Sequence, residues 1–567
     1  MRPLVALGVA AAAAIALVFA GCGGGGGSPP LPGGGGTPPL PGGGASGAPN
    51  PGSSLVPAST TQVRFDVTFP ARNAGNARIR RPAYVSPSIQ SLTFSIDGAA
   101  QAIVNAPAPT GAAQTVTTTV PATPGSHGFV IAEYDRSDGA GSLLGRVAQT
   151  NTIVAGQINT LVFTVDGQLA KIAIQPPVSP FVEGTLASGF TLVGSVTAPF
   201  AAVPEDADGN TIVVPGAVPA LAATSGTPGA IVASASAGNA FTLQAPAPTG
   251  FVQVSVTGTN LDGATVTSVP FAVKAVGAFY IADFTAQQMR VFDESGTPLA
   301  LPASAFANLT NPEGLAFVPG APGSIVVTQT ANFSQPYIVR FDPSGAPQNL
   351  ADGAFAKLAR PLFLTYAGSG ATGRFFVPDF FTNSVSVYDS GGAPVPLATG
   401  AFAKLANPIA AAFDTNDGQL YVTSGGGDVL ATYAADGTLK GSVAVGSHPM
   451  GVAYDGNNKS LYVASAGTNG ATTDGQGPQA AAIVQYSEAP AAVSNTGGFV
   501  TLGTNRAFTG IAFDPYTKQL YVADAGDSAI DVFTETGAPV PLPAGAFGTI
   551  APSATPPGDP MAILFVP

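Results

Sequence analysis

The sequence predicts an all-β protein in which two β-sandwich domains precede a ring of six small β-sheets. Three observations support this fold class. Short runs in which apolar and polar residues alternate recur along the chain, as in QVRFDVTFP at residues 62–70. The 567 residues include 72 Gly and 53 Pro, which favour the turns that connect short strands. The second half of the chain also repeats a three-strand pattern six times.

The N-terminus has the pattern of an export signal. Met1 and Arg2 precede an apolar run from Leu4 to Ala20, which ends in Ala-Gly-Cys22. A cysteine directly after Ala-Gly resembles the lipobox of bacterial lipoproteins. This resemblance implies that residues 1–21 are a signal peptide and that Cys22 carries a palmitate-type lipid. The alternative is an uncleaved transmembrane anchor, because the run approaches the spanning length of about 20 residues.

Cys22 is the only cysteine of the chain, so it has no disulfide partner, and lipidation would give it a role. Residues 22–60 form a Gly/Pro-rich linker that would hold the folded part away from a membrane. We expect an exported protein that is lipid-anchored in the cell envelope. Because Gly rather than Asp follows the cysteine, the lipoprotein resemblance implies the outer membrane if the organism is Gram-negative.

Residues 61–168 and 169–275 are each predicted to form a β-sandwich. The alternation in RFDVTF puts Phe65, Val67 and Phe69 on one face of a strand. Several such strands within about 100 residues favour a sandwich of the immunoglobulin-like or fibronectin-like kind. The segment AVPEDADGNTIVVP in the second region resembles the strand-turn-strand of bacterial Ig-like surface domains.

Residues 277–567 carry the repeat. Its first strand recurs as NPEGLAF, RPLFLTY, NPIAAAF, HPMGVAY, FTGIAF and DPMAILF, and its second as forms of QLYVAD. Spacings of 49, 47 and 41 residues separate Pro312, Pro361, Pro408 and Pro449. Repeats of this length, built from short strands, are typical of a β-propeller, and six copies predict six blades. The repeats resemble those of the NHL and YVTN families.

The order of the repeated strands predicts how the ring closes. FYIAD at Phe279–Asp283 has no first strand before it, and AILFV at Ala562–Val566 has no second strand after it. Pairing these two segments would leave no open sheet edge in the ring.

The mouth of the central channel is the predicted place for a site. By the family pattern it is lined by the residue after each Pro or its equivalent, and four of these six are apolar. They are Glu313, Leu362, Ile409, Met450, Thr509 and Met561. A ring so poor in oxygen ligands argues against a calcium site along the channel axis.

Glu313 supports a sharper hypothesis. The PEG that contains it resembles the first metal ligand of gluconolactonase-like propellers, and the resemblance implies a divalent cation, with calcium as the candidate. Four residues on neighbouring repeats could complete the set: Asp283, Asp379, Asn383 and Asp524. The alternative is that each Asp caps the turn after a second strand. Gln329, Ser424 and Ser465 at the equivalent positions favour capping, and otherwise we expect no cofactor.

Histidine and cysteine chemistry is sparse. The chain has two histidines, His127 and His448, far apart in sequence, which argues against a His/Cys metal cluster. His448 is predicted to lie in a loop at the channel rim. With 20 Lys and Arg against 32 Asp and Glu, the chain also lacks the cations that nucleic-acid binding requires.

These features predict a cell-envelope lipoprotein whose propeller is a non-catalytic platform for ligand or protein binding. Its partners would be the membrane, through the lipid anchor, and an unknown envelope protein, glycan or small ligand. One alternative is a metal-dependent hydrolase of the lactonase type, which would use Glu313 and the neighbouring aspartates. Another is a purely structural envelope protein.

Overall fold

The described residues of the chain fold into strands, turns and loops, and their one helical element is the 3-10 turn Ser137–Gly139. The structure is a computed structural model. It describes residues 61–69, 86–108, 112–156, 158–161, 163, 165–212, 221–227, 229–235, 239–320, 323–330, 337–368, 372–467, 481–488, 500–501, 506–548, 550 and 559–567. The predicted signal peptide, Cys22 and the linker lie outside these residues. Within them, no helix has the length and apolar character needed to cross a membrane.

Residues 61–167 form two facing sheets. The three-stranded sheet has the order β4-β1-β7 and the five-stranded sheet has the order β3-β2-β5-β6-β8. The strands are β1 Thr61–Phe69, β2 Ser91–Ile96, β3 Ala99–Asn105, β4 Gln114–Ala122, β5 Gly125–Tyr134, β6 Leu143–Ile153, β7 Asn159–Thr160 and β8 Asp166–Gly167.

The core of this first region lies between its two sheets. Phe65 of β1 packs against Phe94 of β2, with ring centroids 4.7 Å apart. Phe65 and Phe69 are buried, whereas Arg64 and Asp66 are exposed. The alternation predicted for β1 is therefore confirmed, because one face of the strand lies on the apolar core and the other meets solvent.

Residues 171–276 also form two sheets. Their strand orders are β10-β11-β18-β16-β13, with β17 paired to β16, and β14-β15-β12-β9. Phe190, Phe200, Phe241 and Phe271 form the aromatic centre of the core between them. The strands are β9 Lys171–Gln175, β10 Val182–Thr185, β11 Gly189–Val193, β12 Ala198–Glu205, β13 Leu221–Ser225, β14 Val232–Ala235, β15 Ala240–Gln244, β16 Thr249–Thr259, β17 Thr265–Thr267 and β18 Phe271–Val276.

The described residues between 278 and 566 form six small antiparallel sheets in a β-propeller-like arrangement, numbered here 1 to 6. Sheet 1 has the order β38-β19-β20, and sheets 2 to 6 are β21-β22-β23, β24-β25-β26, β27-β28-β29-β30, β31-β32-β33-β34 and β35-β36-β37. The strands are β19 Ala278–Asp283, β20 Gln288–Asp293, β21 Pro312–Val318, β22 Ser324–Gln329, β23 Ile338–Phe341, β24 Thr365–Ala367, β25 Arg374–Asp379, β26 Ser384–Asp389, β27 Pro408–Asp414, β28 Gln419–Ser424, β29 Val429–Ala434, β30 Leu439–Ala444, β31 Pro449–Asp455, β32 Ser460–Ser465, β33 Ala482–Ser487, β34 Val500–Thr501, β35 Phe508–Asp514, β36 Gln519–Asp524, β37 Ala529–Thr534 and β38 Pro560–Val566.

The innermost strands make the six sheets into a closed ring. Each of β38, β21, β24, β27, β31 and β35 contacts the next one around the ring. β38, the last strand of the chain, pairs with β19 in antiparallel register, with Phe565 opposite Phe279. The predicted closing pair is therefore confirmed, and sheet 1 joins both ends of the ring segment.

Glycine and threonine allow the inner strands to approach one another closely. A Cβ at Gly314 would lie 2.5 Å from the carbonyl oxygen of Leu362, in the segment just before the neighbouring strand β24, so only glycine fits this position. Thr328 Oγ1 accepts a hydrogen bond from the Gly314 amide at 2.7 Å and donates to the same Leu362 oxygen. Thr423 likewise joins sheet 4 to sheet 5 by donating to the carbonyl of Met450 at 2.9 Å.

Candidate functional site at one mouth of the ring

The candidate site lies where the inner strands begin. The register shifts beside the first residue of β21, β27, β31 and β35, so the residue after Pro or its equivalent leaves the regular ladder. Such bulges change the direction of a side chain. Glu313, Leu362, Ile409 and Thr509 are buried at this position. Met450 and Met561 are partly exposed, so the mouth presents mostly apolar surface.

Glu313 is the ionisable exception at this mouth. Its side chain is only 3% exposed. Oε1 accepts a hydrogen bond from Thr330 Oγ1 at 3.1 Å, while Oε2 is buried without a partner. Burial raises the pKa of Glu313 to about 7, against the smaller lowering effects of the Thr330 hydrogen bond and the Arg360 charge. Near neutral pH this carboxyl is therefore poised between its acid and its anion.

Arg360 forms a cation–π platform beside Glu313. Its guanidinium lies 5.4 Å from the ring centroids of both Phe380 and Phe381. Its Nε is buried without a hydrogen-bond partner. Phe381 is 54% exposed, an unusual exposure for so large an apolar ring. The platform combines an apolar face with a cation, which suits a partner that carries both apolar and polar groups.

The three aspartates of the hypothesised metal set have a different role. Asp283, Asp379 and Asp524 are fully buried. Each accepts hydrogen bonds from backbone amides, either in the turn after its strand or in the segment just before an inner strand. The donors are Ala286 N at 3.1 Å and Asp559 N at 3.1 Å for Asp283, Ala359 N at 2.6 Å and Arg360 N at 3.0 Å for Asp379, and Ala507 N at 3.1 Å and Gly526 N at 3.0 Å for Asp524.

Two of these aspartates also pair with arginine. Arg290 Nε donates to Asp283 at 2.8 Å, and Arg506 Nη1 donates to Asp524 at 3.0 Å. These arginines and the turn amides already engage both carboxylate oxygens in each case. The turn-capping interpretation is therefore confirmed for these residues.

Asn383 and His448 lie exposed in turns on this side of the sheets. Both have positive φ, at 53° and 54°. Asn383 Oδ1 accepts a hydrogen bond from the Asn407 amide at 2.7 Å, and the His448 amide donates to Asp428 Oδ1 at 2.9 Å. Asn383 thus serves as a further turn cap, and His448 is the exposed loop residue that the sequence predicted.

The structure does not assemble the metal set predicted around Glu313. In the described part of the chain, one group of three acidic, histidine or cysteine side chains brings its ligand atoms within 4.8 Å of one another, and it contains none of the predicted ligands. In the structure, backbone amides and arginines donate hydrogen bonds to these aspartates, and a metal at Glu313 stays a prediction.

Behind the mouth, the ring encloses a cavity of about 260 Å³. It is lined by the inner strands, with the side chains of Leu315, Phe363, Val452, Ile511 and Ile563 among its walls. The residues that line this cavity place no nucleophile beside a base.

Sequence reasoning missed the platform. The segment RPLFLTY at residues 360–366 matches the repeat, but nothing in the repeat pattern links Arg360 with Phe380 and Phe381. The signal was the pair of neighbouring phenylalanines after PD, because the other repeats have at most one aromatic residue there, as in Phe284-Thr285 and Ala525-Gly526.

Comparison with known proteins gives limited information. No family model and no curated protein matches the chain. A chain of a nidogen–laminin complex is similar, at 16% identity and a TM-score of 0.38, over 52% of this chain and 98% of that one. A putative 6-phosphogluconolactonase from Bacteroides fragilis is 15% identical, with a TM-score of 0.35, over 52% of this chain and 98% of that one. A gluconolactonase from Xanthomonas campestris is 19% identical, with a TM-score of 0.30, over 44% of this chain and 84% of that one. Similarity this low carries no conclusion about activity or ligand.

Proposed function

We propose that this chain is an exported lipoprotein of the cell envelope, anchored through Cys22. In this proposal two immunoglobulin-like sandwiches carry a six-bladed propeller of the NHL or YVTN kind, which acts as a non-catalytic binding platform. The N-terminal sequence supports the anchor. Replacing Cys22 by Ser should abolish incorporation of labelled palmitate and release the protein from the membrane fraction. Unchanged labelling of the variant would contradict the anchor.

The observation that carries the binding role is the platform of Arg360, Phe380 and Phe381. Aromatic residues, methionine and arginine are the types enriched in protein interfaces. Met450 and Met561 are partly exposed at the same mouth, and flexible methionines adapt to the shape of a partner. The aspartates nearby are committed to turns, so this mouth offers contact surface and few catalytic groups.

The chain provides a matched control for this proposal. Phe251 in the second sandwich is 58% exposed, and Lys274 Nζ lies 5.6 Å from its ring centroid. This repeats the combination of a cation and an exposed phenylalanine away from the ring. The full chain, immobilised, is exposed to a solubilised envelope fraction and to an array of envelope glycans. Phe381→Ala should lose the bound partner, and Phe251→Ala should keep it.

Two results would overturn the binding role. One is that the wild-type chain retains neither protein nor glycan above the level of an inert surface. The other is that Phe381→Ala and Phe251→Ala behave alike, since the platform would then contribute nothing specific.

A lactonase-type hydrolase is the second candidate, and Glu313 is the observation in its favour. A buried carboxyl with a pKa of about 7 and an unpaired oxygen has the properties of a general base. Turnover of gluconolactone by the full chain, with and without added divalent metal, tests this role. Activity that Glu313→Gln abolishes would favour the hydrolase over the platform, and absence of turnover would reject it. A purely structural role predicts neither partner binding in the first assay nor turnover of gluconolactone in the second.

A further inference from the structure

A separate acidic cluster joins sheet 4 to sheet 5. Asp414 ends β27, Asp417 lies in the following turn, and Glu488 directly follows β33 of sheet 5. One carboxylate oxygen from each of the three lies within 4.8 Å of the others. Ile409, the counterpart of Glu313, is the second residue of β27, so the cluster lies at the opposite end of that strand from the candidate mouth.

Buried polar atoms in this cluster lack partners. Asp414 is 0% exposed. Its Oδ1 accepts a hydrogen bond from the Asn416 amide at 2.8 Å, but its Oδ2 has no hydrogen-bond partner. Glu488 Oε1 and the hydroxyl of Tyr454 are also buried without a partner. A buried carboxylate oxygen left unpaired is costly, and a bound cation would remove that cost.

The charges of the cluster are unbalanced. Three carboxylates face one cation, Lys459, whose Nζ lies 3.0 Å from Glu488 Oε2 and 3.6 Å from Asp417 Oδ2. Two negative charges remain when all four groups are ionised, which is the charge a divalent cation carries. The side chain of Lys459 is 56% exposed, so it can turn into solvent when a cation enters.

The next sheet boundary shows which residues are special here. Asp455 ends β31, and the Glu535 amide donates to the Lys518 carbonyl at 3.2 Å, just as the Glu488 amide donates to the Lys459 carbonyl at 3.1 Å. The two boundaries are therefore equivalent, and Asp455 Oδ2, like Asp414 Oδ2, is buried without a hydrogen-bond partner, whereas the unpaired Glu488 Oε1 has no counterpart at Glu535 among the described residues. At the second one, however, Asn458 takes the place of Asp417 and Phe513 takes that of Tyr454. Of these two boundaries, only the one between sheets 4 and 5 has a third carboxylate, from Asp417, and a tyrosine hydroxyl, from Tyr454.

We propose that Asp414, Asp417 and Glu488 bind one calcium ion that fastens sheet 4 to sheet 5. All the ligands are oxygen atoms, which hard cations prefer. Two oxygens on one calcium ion lie at most about 5 Å apart, because each bond is about 2.5 Å long, and the cluster meets this limit. Water completes the coordination, since Asp417 is exposed and Glu488 is partly exposed.

Calorimetric titration of the full chain, freed of metal with a chelator, tests the site with calcium chloride as the probe. We expect one calcium ion per chain and a higher melting temperature when it is bound. Asp417→Asn and Glu488→Gln should each weaken calcium binding by about tenfold or more, because ligand charge sets the affinity of such sites. Asp352→Asn, at an exposed carboxylate outside the cluster, should leave calcium binding unchanged.

Terbium luminescence locates the ion independently. The chain has no Trp and 13 Tyr, so a bound terbium ion is sensitised by tyrosine, and the Tyr454 hydroxyl shares the charge environment of Asp414 and Glu488. Tyr421 stacks on Tyr454 at 5.9 Å, and its hydroxyl donates to the Glu488 carbonyl. The double variant Tyr421→Phe, Tyr454→Phe should therefore lower the emission while calcium still displaces the terbium. Melting curves recorded in chelator show whether each variant is folded.

Three outcomes would overturn the proposal. The first is no binding of calcium by the wild-type chain at millimolar concentration. The second is binding that both carboxylate variants leave intact. The third is terbium emission that the double variant Tyr421→Phe, Tyr454→Phe does not change. The envelope-binding role does not depend on this ion, so the two proposals fail separately.

Discussion

Replacing Glu313 by Gln is expected to remove a pH-dependent loss of stability from the ring. Glu313 is 3% exposed, and burial raises its pKa to about 7 from 4.5. The folded chain therefore binds this proton more tightly than the unfolded chain does. The resulting stability is fully present below pH 4.5 and is lost as the pH rises through 7.

The size of this effect follows from the two pKa values. Each pKa unit corresponds to about 1.4 kcal/mol, so the difference is worth about 3 kcal/mol between acid and alkaline solution. Gln retains an oxygen that can accept the Thr330 hydrogen bond, and it carries no charge at any pH. The contributions of the other ionisable groups cancel when the two proteins are compared at each pH.

The assay is urea unfolding of the full chain and of Glu313→Gln from about pH 5 to about pH 9, in chelator. The difference in unfolding free energy should shift by about 3 kcal/mol in favour of the variant as the pH rises. A difference that stays constant over this range would refute the reasoning, because Glu313 would then ionise freely in the folded chain. Repeating the series with calcium tests a metal at this mouth, since a cation beside Glu313 would flatten the curve.

Three further predictions concern the rest of the molecule. Glu133 is 2% exposed and burial raises its pKa to about 8, so Glu133→Gln should gain up to about 5 kcal/mol over the wild type as the pH rises through 8; thermal melts that show no such gain would exclude it. Thr423→Val should lower the unfolding free energy by about 1–3 kcal/mol, measured in urea, because the Ala410 amide loses its acceptor; a change below about 0.5 kcal/mol would contradict this. A stop codon after Asp559 removes β38 and should make the ring sensitive to limited proteolysis, whereas a resistant truncated ring would argue against closure by this strand.

The fold was more accessible from the sequence than the site. Strand period and turn chemistry are local, so Phe65 and Phe69 could be placed inward, and two unpaired strand patterns identified the closing pair. The function of an aspartate is not local. Asp379 could be a ligand or a cap, and the answer depends on which amides the folded chain brings to its oxygens.

Long-range neighbours account for the rest of what sequence reasoning missed. Arg360 meets Phe380 and Phe381 only because β25 returns beside the start of its own repeat. Asp417 and Glu488 belong to different sheets, and they meet only because the ring places those sheets side by side. Nothing in either local segment indicates the other, so no motif could have revealed the pair.

The closure of the ring by β38 also sets when folding can finish. Phe279 of β19 pairs with Phe565 of β38, which lies about 290 residues further along the chain. Ribosomes need about 15 to 60 s to synthesise that length. Until then β19 has one unpaired edge that is open to other chains. The ring is therefore protected from misassembly at this edge only once β38 has paired with β19.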